Sequence, residues 1–572
     1  MATHDTLIHG GRLIDGAGNP WVRADVALAG GRIAAVAPPG LLDGTAAETV
    51  DAGDLAVCPG FIDIQSHSIV PFLTDRRSLS KVTQGVTTEI MGEAWTPSPA
   101  GGLIANPFPE ELRSRLGDAL DGWNALAAGW TRFAPWLEDL AARGVSVNVG
   151  SFLGHGTLRE YAMGYDMAPA SDAQIAVMRR VMAEAMEDGA FGLATALIYP
   201  PSSYATFEEL VAVMEVVAAY RGVHITHMRS EETRILEALG ETIEIARRTG
   251  VATEIYHLKA AGRGNWGLMP EVIARIEAAR AEGLDVTADM YPYEAAGTGL
   301  ATVLPTWAEA DGKLWDNLAD PAMRERIRQD IVNPPPGFEN LGAVEGATNV
   351  VLAGLLRPDL EHLNGRVLAD VARERGQHWA DTAMDLLHVE GQNIFCFYFE
   401  MSDDNIRRQL QLPWIKISTD AGGVDPADLA GQGWHHPRAF GSYPRVLGHY
   451  CRDEGVIGLE DAVRKMTSSV AARLGIRDRG LIAPGMAADV VIFDPARIAD
   501  RATFSDPHQL PVGVRDVWVN GERVLAAAPR RWRPGVAPVW APAASTRSPL
   551  TQTSRTPTGS WCGSEKVARS AI

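Results

Sequence analysis

Cysteine, basic charge and long apolar runs are all scarce in this sequence. The 572 residues include only four cysteines, which are scattered and form no C-x-x-C pair. We therefore expect no disulfide framework and a reducing compartment. The 52 basic residues are outnumbered by 71 acidic residues, which leaves a net charge of −19. Because phosphate binding needs a basic surface, neither nucleic acid nor an anionic membrane is expected as a partner.

Targeting and nucleotide-binding motifs are also lacking. The N-terminus, MATHDTLIHGGRLIDG, has no basic stretch followed by an apolar core, and no apolar run reaches transmembrane length. The sequence contains no G-x-x-x-x-G-K-[ST] loop and no G-x-S-x-G elbow, which argues against a P-loop site and an elbow-type serine nucleophile. We expect a cytoplasmic globular protein, and nothing in the sequence indicates its oligomeric state.

Short strand patterns are present at both ends of the chain. Residues 5–58 contain apolar segments separated by Gly and Asp at hairpin positions, and similar patterns return at 480–495 and 514–526. Two β-rich pieces at opposite ends predict one small β-sandwich domain that is built from both termini. We expect it to comprise residues 1–58 and 476–529.

The middle of the chain, 59–475, alternates apolar strand patterns with helical patterns such as 171–189 and 206–222. This alternation predicts the α/β class and a (β/α)8 TIM barrel. A long gap before the last strand predicts an insertion at about 299–412, which we interpret as a lid. The tail, 530–572, is rich in Pro, Arg, Ser, Thr and Ala and is predicted to be poorly ordered. The eight strand patterns lie at 58–65, 86–92, 145–153, 190–197, 222–227, 251–257, 284–290 and 413–419.

Polar residues gather at the predicted carboxyl ends of these strands, where such barrels carry their chemistry. A single histidine there is more often structural than a ligand, and a single aspartate more often caps a helix. The chain has only 14 histidines, however, and His67, His227 and His257 all fall at the same end together with Glu93 and Asp420. Together they predict a metal site. The other candidates at these ends are Gln65, His155, Tyr199, Arg229, Lys259 and Tyr291.

The ligand types favour one kind of ion. Histidine nitrogens and carboxylate oxygens suit a borderline divalent ion such as zinc. Bound zinc lowers the pKa of its water to about 7. Asp420 is then placed to accept a proton from that water and to pass it to a leaving group. This constellation indicates a hydrolase.

Several motifs resemble the amidohydrolase superfamily and, within it, the D-aminoacylase (N-acyl-D-amino-acid deacylase) branch. The resemblance runs from about residue 5 to about residue 526. It implies a zinc-dependent hydrolase that cleaves the amide bond of a small molecule, an N-acyl-D-amino acid or a related N-acyl amide. The motifs that carry it include PGFIDIQSHS, GVTTEIMGE, GHGTLR, THMRSEE, HLKAAGRGNWG, ADMYPY, STDAGG and HPRAFGSYPRVLGHY.

The resemblance also implies roles for individual residues. His227 and His257 match the family's zinc ligands on strands five and six, and Asp420 matches its general base and later general acid. Tyr199, Lys259 and Tyr291 match positions where the family binds the substrate's carboxylate and the oxygen of the scissile bond. Arg229 lies beside the strand-five ligand, where either role is open to it. Gln65 and His155 join the substrate-binding candidates because of their positions at the strand ends.

Three positions depart from the family pattern. The usual His-x-His of strand one is Gln65-x-His67. The usual Asn-Cys-Gly turn after strand two reads GEAW, so that Ala94 stands at the Cys position and Glu93 takes the place of the Asn. A serine expected after strand seven is replaced by Gly297.

The departures on strands one and two suggest a rebuilt site. Glu93 returns a carboxylate one residue before the family's thiolate position, and with His227 and His257 it leaves a fourth position open for water. We expect one tightly bound Zn2+ and a weakened or absent second site. His67 is then a fourth ligand or lies behind the ligands, and Gln65 donates a hydrogen bond to ligands or substrate.

Two other interpretations stay open. In the first interpretation, the enzyme acts on a different amide, namely a cyclic amide, a D-dipeptide, or an N-aryl or long-chain acyl amide. Apolar residues of the insertion, such as Trp307, Trp315 and Phe395, either shape a pocket for such a group or belong to the core. Alternatively, the protein is a non-catalytic relative that uses the barrel for binding, which the loss of the Cys favours and the presence of Asp420 disfavours.

Overall fold

The structure is a computed structural model that describes residues 3–42, 46–335, 338, 340–342, 346–429 and 432–526. The predicted disordered tail at 530–572 lies outside the described residues. Among those residues, no helix combines the length and apolarity that crossing a bilayer requires.

Strands occur throughout the described chain. They are β1 His4–Leu13, β2 Val22–Ala29, β3 Arg32–Ala37, β4 Ala46–Asp51, β5 Ala56–Pro59, β6 Phe61–Asp63, β7 Val86–Met91, β8 Asn148–Ser151, β9 Leu153–Gly154, β10 Gly192–Ala196, β11 Val223–His227, β12 Ala252–Ile255, β13 Val286–Met290, β14 Ala295–Gly299, β15 Val350–Leu352, β16 Phe395–Phe399, β17 Ile415–Ile417, β18 Val490–Phe493, β19 Val514–Val519 and β20 Glu522–Leu525.

Helices follow most strands of the middle region. They are α1 Pro71–Thr74, α2 Leu79–Val82, α3 Arg113–Leu116, α4 Ala119–Ala127, α5 Ala134–Arg143, α6 His155–Met163, α7 Asp172–Glu187, α8 Phe207–Ala219, α9 Ile235–Thr249, α10 Met269–Ala281, α11 Leu314–Ala319, α12 Pro321–Val332, α13 Leu368–Arg375, α14 Trp379–Glu390, α15 Asp403–Leu410, α16 Arg438–Arg445, α17 Leu459–Met466 and α18 Ser468–Leu474.

The two helices that the sequence analysis located by their pattern begin at polar caps. Ser171 accepts a hydrogen bond from the Gln174 backbone and forms a capping box at the start of α7, and Thr206 caps α8. Such caps satisfy backbone N–H groups that the first helical turn leaves unpaired. Both helices thus start where the sequence predicted them.

Strands from the two chain ends lie in one eight-stranded sheet. Its order is β20-β19-β18-β5-β1-β2-β3, and β4 pairs with β1. The first two strands are antiparallel, whereas β4 and β5 run parallel to β1. The pairing of β5 with β18 joins the N-terminal and C-terminal pieces.

The eight predicted strand segments of the middle region all contain parallel strands. The first three carry β6, β7 and β8 in one sheet, and the next sheet has the order β17-β13-β12-β11-β10-β9. Only Phe152 separates β8 from β9, so one chain segment contributes to both sheets.

The first and last of these strands also meet beyond their ends. Ser66 forms a parallel bridge with Ala421. The Asp420 N–H donates to Gln65 O at 3.0 Å, and the His67 N–H donates to Ala421 O at 3.1 Å. The carboxyl ends of β6 and β17 are therefore side by side, which brings their polar residues together.

The long insertion has a core of its own. Strands β14, β16 and β15 form an antiparallel sheet, and helices α11 to α14 pack on it through a cluster that includes Leu318, Ile327, Leu368 and Leu387. Trp315 packs against this cluster, so it belongs to the core of the insertion. The segment also contributes Trp307 and Phe395 to the wall of the main cavity.

Candidate metal centre and active site

A cavity of about 850 Å3 lies at the carboxyl ends of the parallel strands. Most of the residues that the sequence singled out line it. The lining includes His67, Glu93, Tyr199, His227, Arg229, His257, Lys259, Tyr291 and Asp420. Gln65 and His155 are absent from the described lining residues.

Glu93 enters the site from a tight turn after β7. The preceding Gly92 has φ +109°, and a Cβ added there would lie 2.2 Å from Phe152 O. Only glycine fits this close approach of two backbones. The following Ala94 is left-handed, with φ +60°. The turn therefore brings Glu93 in from strand two.

The Glu93 carboxylate lies at the centre of the site. Its Oε1 is 3.3 Å from His227 Nδ1 and 3.6 Å from His257 Nε2. Its Oε2 is 3.4 Å from His67 Nε2. One carboxylate thus faces two histidines with one oxygen and a third histidine with the other.

A second carboxylate, Glu231, lies behind the two histidines of strands five and six. Its Oε1 is 3.0 Å from His257 Nδ1, and its Oε2 is 3.3 Å from His227 Nε2. The contact with His227 lies outside hydrogen-bond geometry, so that buried nitrogen is unpaired. Carboxylates in this position fix which nitrogen of a histidine faces a metal.

Lys259 shares the Glu231 carboxylate. Its Nζ lies 2.7 and 2.8 Å from the two oxygens and 2.7 Å from His257 Nδ1. The His257 Nδ1 either accepts from Lys259 or donates to Glu231. Only the second arrangement leaves Nε2 unprotonated and facing Glu93, as a metal ligand requires.

Gln65 lies beneath the cavity and contacts the central carboxylate. Its Nε2 donates to Glu93 Oε2 at 2.5 Å, and its Oε1 lies 3.4 Å from Ser418 Oγ. The side chain is buried, with 1% of the residue exposed. The amide therefore places a donor against the same Glu93 oxygen that faces His67.

His67 and Asp420 form the other wall of the site. His67 Nε2 is 2.8 Å from Asp420 Oδ1, and the His67 side chain is 43% exposed. The second Asp420 oxygen is 2.7 Å from Arg438 Nη1, and both side chains are buried. The backbone of Asp420 is left-handed, with φ +50°, a conformation that is uncommon outside glycine and often marks functional sites.

The charges of the site shift the pKa values of its acids. Burial raises the pKa of Asp420. The Arg438 guanidinium and the hydrogen bond from His67 lower this pKa by more, so it lies below its usual value. Burial also raises the pKa of Glu93, and the hydrogen bonds from His227 and His257 outweigh it, so the pKa lies well below the ordinary range. Both carboxyl groups are therefore ionised at neutral pH.

The two histidines beside Glu93 differ in their titration. Burial lowers the pKa of His227. Burial and Lys259 lower the pKa of His257, but Glu231 and Glu93 raise it more, to about 10. A metal that binds His257 must displace this proton, so its binding is linked to pH.

Two tyrosines that line the cavity have different partners. Tyr199 OH shares a hydrogen bond of 2.7 Å with Thr298 Oγ1, and its ring packs edge-on to His227. The Arg438 guanidinium lies over the Tyr291 ring at 4.6 Å from its centroid. Burial raises the pKa of both phenols, which are therefore neutral hydrogen-bond donors at neutral pH.

Two candidates from the sequence have other partners. Arg229 lines the cavity, but its guanidinium binds Glu241 at 3.0 Å and the Ser203 carbonyl at 2.9 Å. His155 is fully buried, and its Nδ1 is 3.0 Å from Ser202 Oγ. The contacts of both residues hold the protein together.

Two charged residues of the site, Glu231 and Arg438, were not among those predicted from the sequence. Glu231 lies four residues after His227 in the THMRSEE motif, and Arg438 lies in HPRAFG. A search for charged residues within these motifs could have singled them out. Their contacts with ligand candidates on other strands, however, are visible only in three dimensions.

The donor set fits a divalent metal. Among the described residues, two groups offer ligand atoms that lie within 4.8 Å of one another: Glu93, His227 and His257, and His67, Glu93 and Asp420. In the first group each side chain is at most 7% exposed, and two imidazoles with one carboxylate suit zinc. The second group shares Glu93 and contains the half-exposed His67.

The chain is similar to known metal-dependent hydrolases. Residues 48–525 match the model of the amidohydrolase family. A D-aminoacylase from Alcaligenes xylosoxydans xylosoxydans is 37% identical over 520 residues, which cover 91% of this chain and 94% of that protein.

Two solved structures resemble the whole described chain. One is a D-aminoacylase with a binuclear metal centre, in which one metal activates and the second attenuates. It is 34% identical, with a TM-score of 0.76, and the match covers 93% of this chain and 98% of that one. The other is an N-acyl-D-glutamate deacylase from Bordetella bronchiseptica with zinc and a phosphonate mimic of the tetrahedral intermediate. It is 31% identical, with a TM-score of 0.76 and coverage of 94% and 99%.

Proposed function

The chain belongs to the amidohydrolase family, in its D-aminoacylase branch, and from this premise we propose that it hydrolyses the amide bond of N-acyl-D-amino acids with a bound zinc ion. It shares the TIM-barrel type of fold with these relatives. One observation carries the proposal: Glu93, His227 and His257 present ligand atoms within 4.8 Å of one another, and Asp420 lies beside them.

The zinc ion, when bound, supplies a Lewis acid for the amide carbonyl and lowers the pKa of water. Asp420 is ionised at neutral pH and reaches into the same space, so it accepts the proton of the attacking water. It then returns this proton to the leaving nitrogen. Tyr199 is a neutral donor that packs against His227, and we assign it to the oxygen of the scissile bond.

The substrate's carboxylate is assigned to the cationic side of the cavity. Arg438 is buried, its Nη1 is paired with Asp420 Oδ2 at 2.7 Å, and its Nε has no hydrogen-bond partner within the described chain, so one donor is left for a substrate group. Lys259 Nζ already lies within 2.8 Å of both Glu231 oxygens and of His257 Nδ1, which uses its three donors. We therefore assign the carboxylate to Arg438 and Tyr291 first, with Lys259 in support.

One tight zinc and a weak second site follow from the same geometry. A second ion would need Glu93 Oε2 as well as His67 and Asp420. Gln65 already donates to that oxygen at 2.5 Å, and Arg438 holds the second Asp420 oxygen at 2.7 Å. These contacts favour single occupancy of the Glu93, His227 and His257 group.

The finer architecture is part of the proposal. The contacts between the ends of β6 and β17 support a closed (β/α)8 barrel that carries the site at 59–475. The sheet that joins both chain ends supports a small β-sandwich domain at 1–58 and 476–529. The segment at about 299–412 is then the inserted wall of the cavity.

An extended apolar group on the substrate is a second, finer proposal. The cavity of about 850 Å3 is large for an N-acetyl amino acid, and much of its outer wall is apolar. This favours a long-chain or aryl acyl group, since such pockets bind ligands by burying apolar surface. The apolar wall includes Leu304, Trp307, Leu341, Leu356, Phe395 and Trp434.

A substrate panel tests both proposals. It contains N-acetyl-D-leucine, N-acetyl-L-leucine, N-decanoyl-D-leucine, N-acetyl-D-glutamate and a five-membered cyclic amide. We expect turnover of the D-leucine compounds and a higher kcat/KM for the decanoyl compound, and Trp307→Ala should reduce this advantage. Preference for the cyclic amide or the L-enantiomer would reject the first proposal, and absence of all turnover by the zinc-loaded protein would favour a binding role.

A further inference from the structure

A fully buried lysine lies near Asp420 and has no role in the proposed reaction. Lys81 is on α2, and its side chain is 0% exposed, as is that of Asp63 at the end of β6. Its Nζ donates to Asp63 Oδ2 at 2.5 Å, to Ala421 O at 2.6 Å and to Thr419 Oγ1. An ammonium has three N–H donors, so these contacts use all of them.

Asp63 holds the same segment of strand eight. Its Oδ1 accepts from the Thr419 N–H at 3.0 Å, and its Oδ2 accepts from Thr419 Oγ1 at 2.5 Å. Asp63 therefore binds the main-chain N–H of Thr419, just before Asp420. Lys81 binds the main-chain carbonyl of Ala421, just after Asp420. Neither Lys81 nor Asp63 is among the described residues that line the cavity.

The segment between these contacts needs support. Asp420 is left-handed with φ +50°, and non-glycine residues hold this conformation only where their surroundings determine it. Its N–H is bound by Gln65 O at 3.0 Å. Its side chain is thereby aimed at His67, 2.8 Å away, and Arg438, 2.7 Å away.

We propose that Lys81 and Asp63 form a buried clamp that positions the Asp420 carboxylate for proton transfer. This inference rests on the proposed role of Asp420 as the proton carrier. Lys81 is a positioning residue because it acts through the backbone on both sides of Asp420. A buried ion pair often adds little to the free energy of unfolding. We therefore assign Lys81 and Asp63 a role in positioning the segment that they bind.

The test uses the double variant Asp63→Asn with Lys81→Met. A single substitution would leave Lys81 or Asp63 buried without its direct partner and destabilise the protein, whereas the double variant removes both charges at nearly constant volume. Buried Glu89, 3.8 Å from Lys81 Nζ, keeps the hydrogen bonds that it accepts from Ser66, Ser68 and Ser78. We expect wild-type zinc content and a KM within about twofold of wild type. The kcat on N-acetyl-D-leucine should fall at least about tenfold, because small displacements of a reacting group are costly.

A second buried lysine on the same strand provides the matched control. Lys416 lies in β17 and binds buried Glu254 at 2.9 Å, with side-chain exposures of 3% and 0%. Lys416 lies four residues before Asp420, and within the described part of the chain neither its side chain nor that of Glu254 forms a hydrogen bond or ion pair with residues 419–421. The double variant Glu254→Gln with Lys416→Met should keep kcat within about twofold of wild type, because this pair does not hold the 419–421 segment and its loss should leave the position of the Asp420 carboxylate unchanged.

Thr419→Val is the milder variant to use if the double variant does not fold. It removes the hydroxyl that contacts both Lys81 and Asp63 and should lower kcat several-fold while zinc is retained. A kcat within twofold of wild type in the folded clamp variant, an equal loss in the Lys416 control, or loss of zinc would overturn the clamp. Asp420→Asn in the same assay separates the two claims: if that variant keeps its turnover, the proposed function fails as well.

Discussion

The two walls of the active site are held in different ways. The ligand wall consists of Glu93, His227, His257 and Glu231, and its histidines are at most 6% exposed. The proton wall consists of His67, Asp420 and Arg438, and its histidine is 43% exposed. On the first wall a carboxylate stands behind both histidines, whereas on the second a cation stands beside the carboxylate.

This difference assigns a separate task to each wall. Glu231 lies beside the outer nitrogens of His227 and His257, at 3.3 and 3.0 Å, and a carboxylate in this position favours the histidine form whose inner nitrogen binds a metal. Arg438 keeps Asp420 ionised by lowering the pKa of its carboxyl group, which suits acceptance of a proton. Substitutions on the ligand wall should therefore change zinc affinity, and those on the proton wall should change turnover.

The largest effect is expected for Asp420→Asn. The amide cannot accept the proton of the attacking water, so kcat should fall by about two to four orders of magnitude. Zinc content, measured by elemental analysis, should stay at the wild-type value because the ligand wall is intact. Appreciable turnover, or loss of the tight zinc, would show that the two walls do not divide these tasks.

Glu231→Gln should weaken zinc binding by about 10- to 100-fold. The variant loses the charge that orients the histidine N–H groups, and competition with a chelator measures the change in affinity. Glu241→Gln is the matched control, because Glu241 binds Arg229 at 3.0 Å and should leave zinc affinity unaltered. Equal affinities in Glu231→Gln and wild type would remove Glu231 from the ligand wall.

Arg438→Met should shift the acidic limb of kcat to higher pH by about one unit. Arg438 lowers the pKa of Asp420, so its removal raises that pKa, and the ionised form is lost at a higher pH as the solution is acidified. Arg445→Met, at the other end of α16, is the control and should leave the limb in place. An unmoved limb in Arg438→Met would mean that another group controls this ionisation.

The smallest effect is expected for His67→Gln. His67 contacts Asp420, but its side chain is 43% exposed, so kcat/KM should fall only several-fold, as for a single exposed hydrogen bond. One equivalent of tight zinc should remain bound. Loss of that zinc would show that His67 is a metal ligand, and the ligand wall and the proton wall would then form a single metal site.

The sequence predicted where the parallel strands of the middle region lie. Every one of the eight strand segments contains a parallel strand, and the two chain ends share a sheet, because alternating apolar patterns determine such elements locally. The residues at strand ends were predictable for the same reason. His67, Glu93, His227, His257 and Asp420 indeed line one cavity.

The contacts behind these residues were not predictable. Glu231, Lys81 and Arg438 act through partners that lie on other strands, and residue patterns carry no distances. His155 and Arg229 illustrate the converse, since a polar residue after a strand looks the same whether it faces a cavity or, as here, binds Ser202 and Glu241. Only the assembled fold distinguishes the two cases.

The most direct test of this account is an anomalous-scattering crystal structure of protein purified without chelator, together with elemental analysis. We expect one equivalent of tight zinc bound by a Glu93 oxygen, His227 Nδ1 and His257 Nε2. In Glu93→Ala this zinc should be lost. Two equivalents of tight metal, or a single ion held by His67 and Asp420, would contradict the division of the site into a ligand wall and a proton wall.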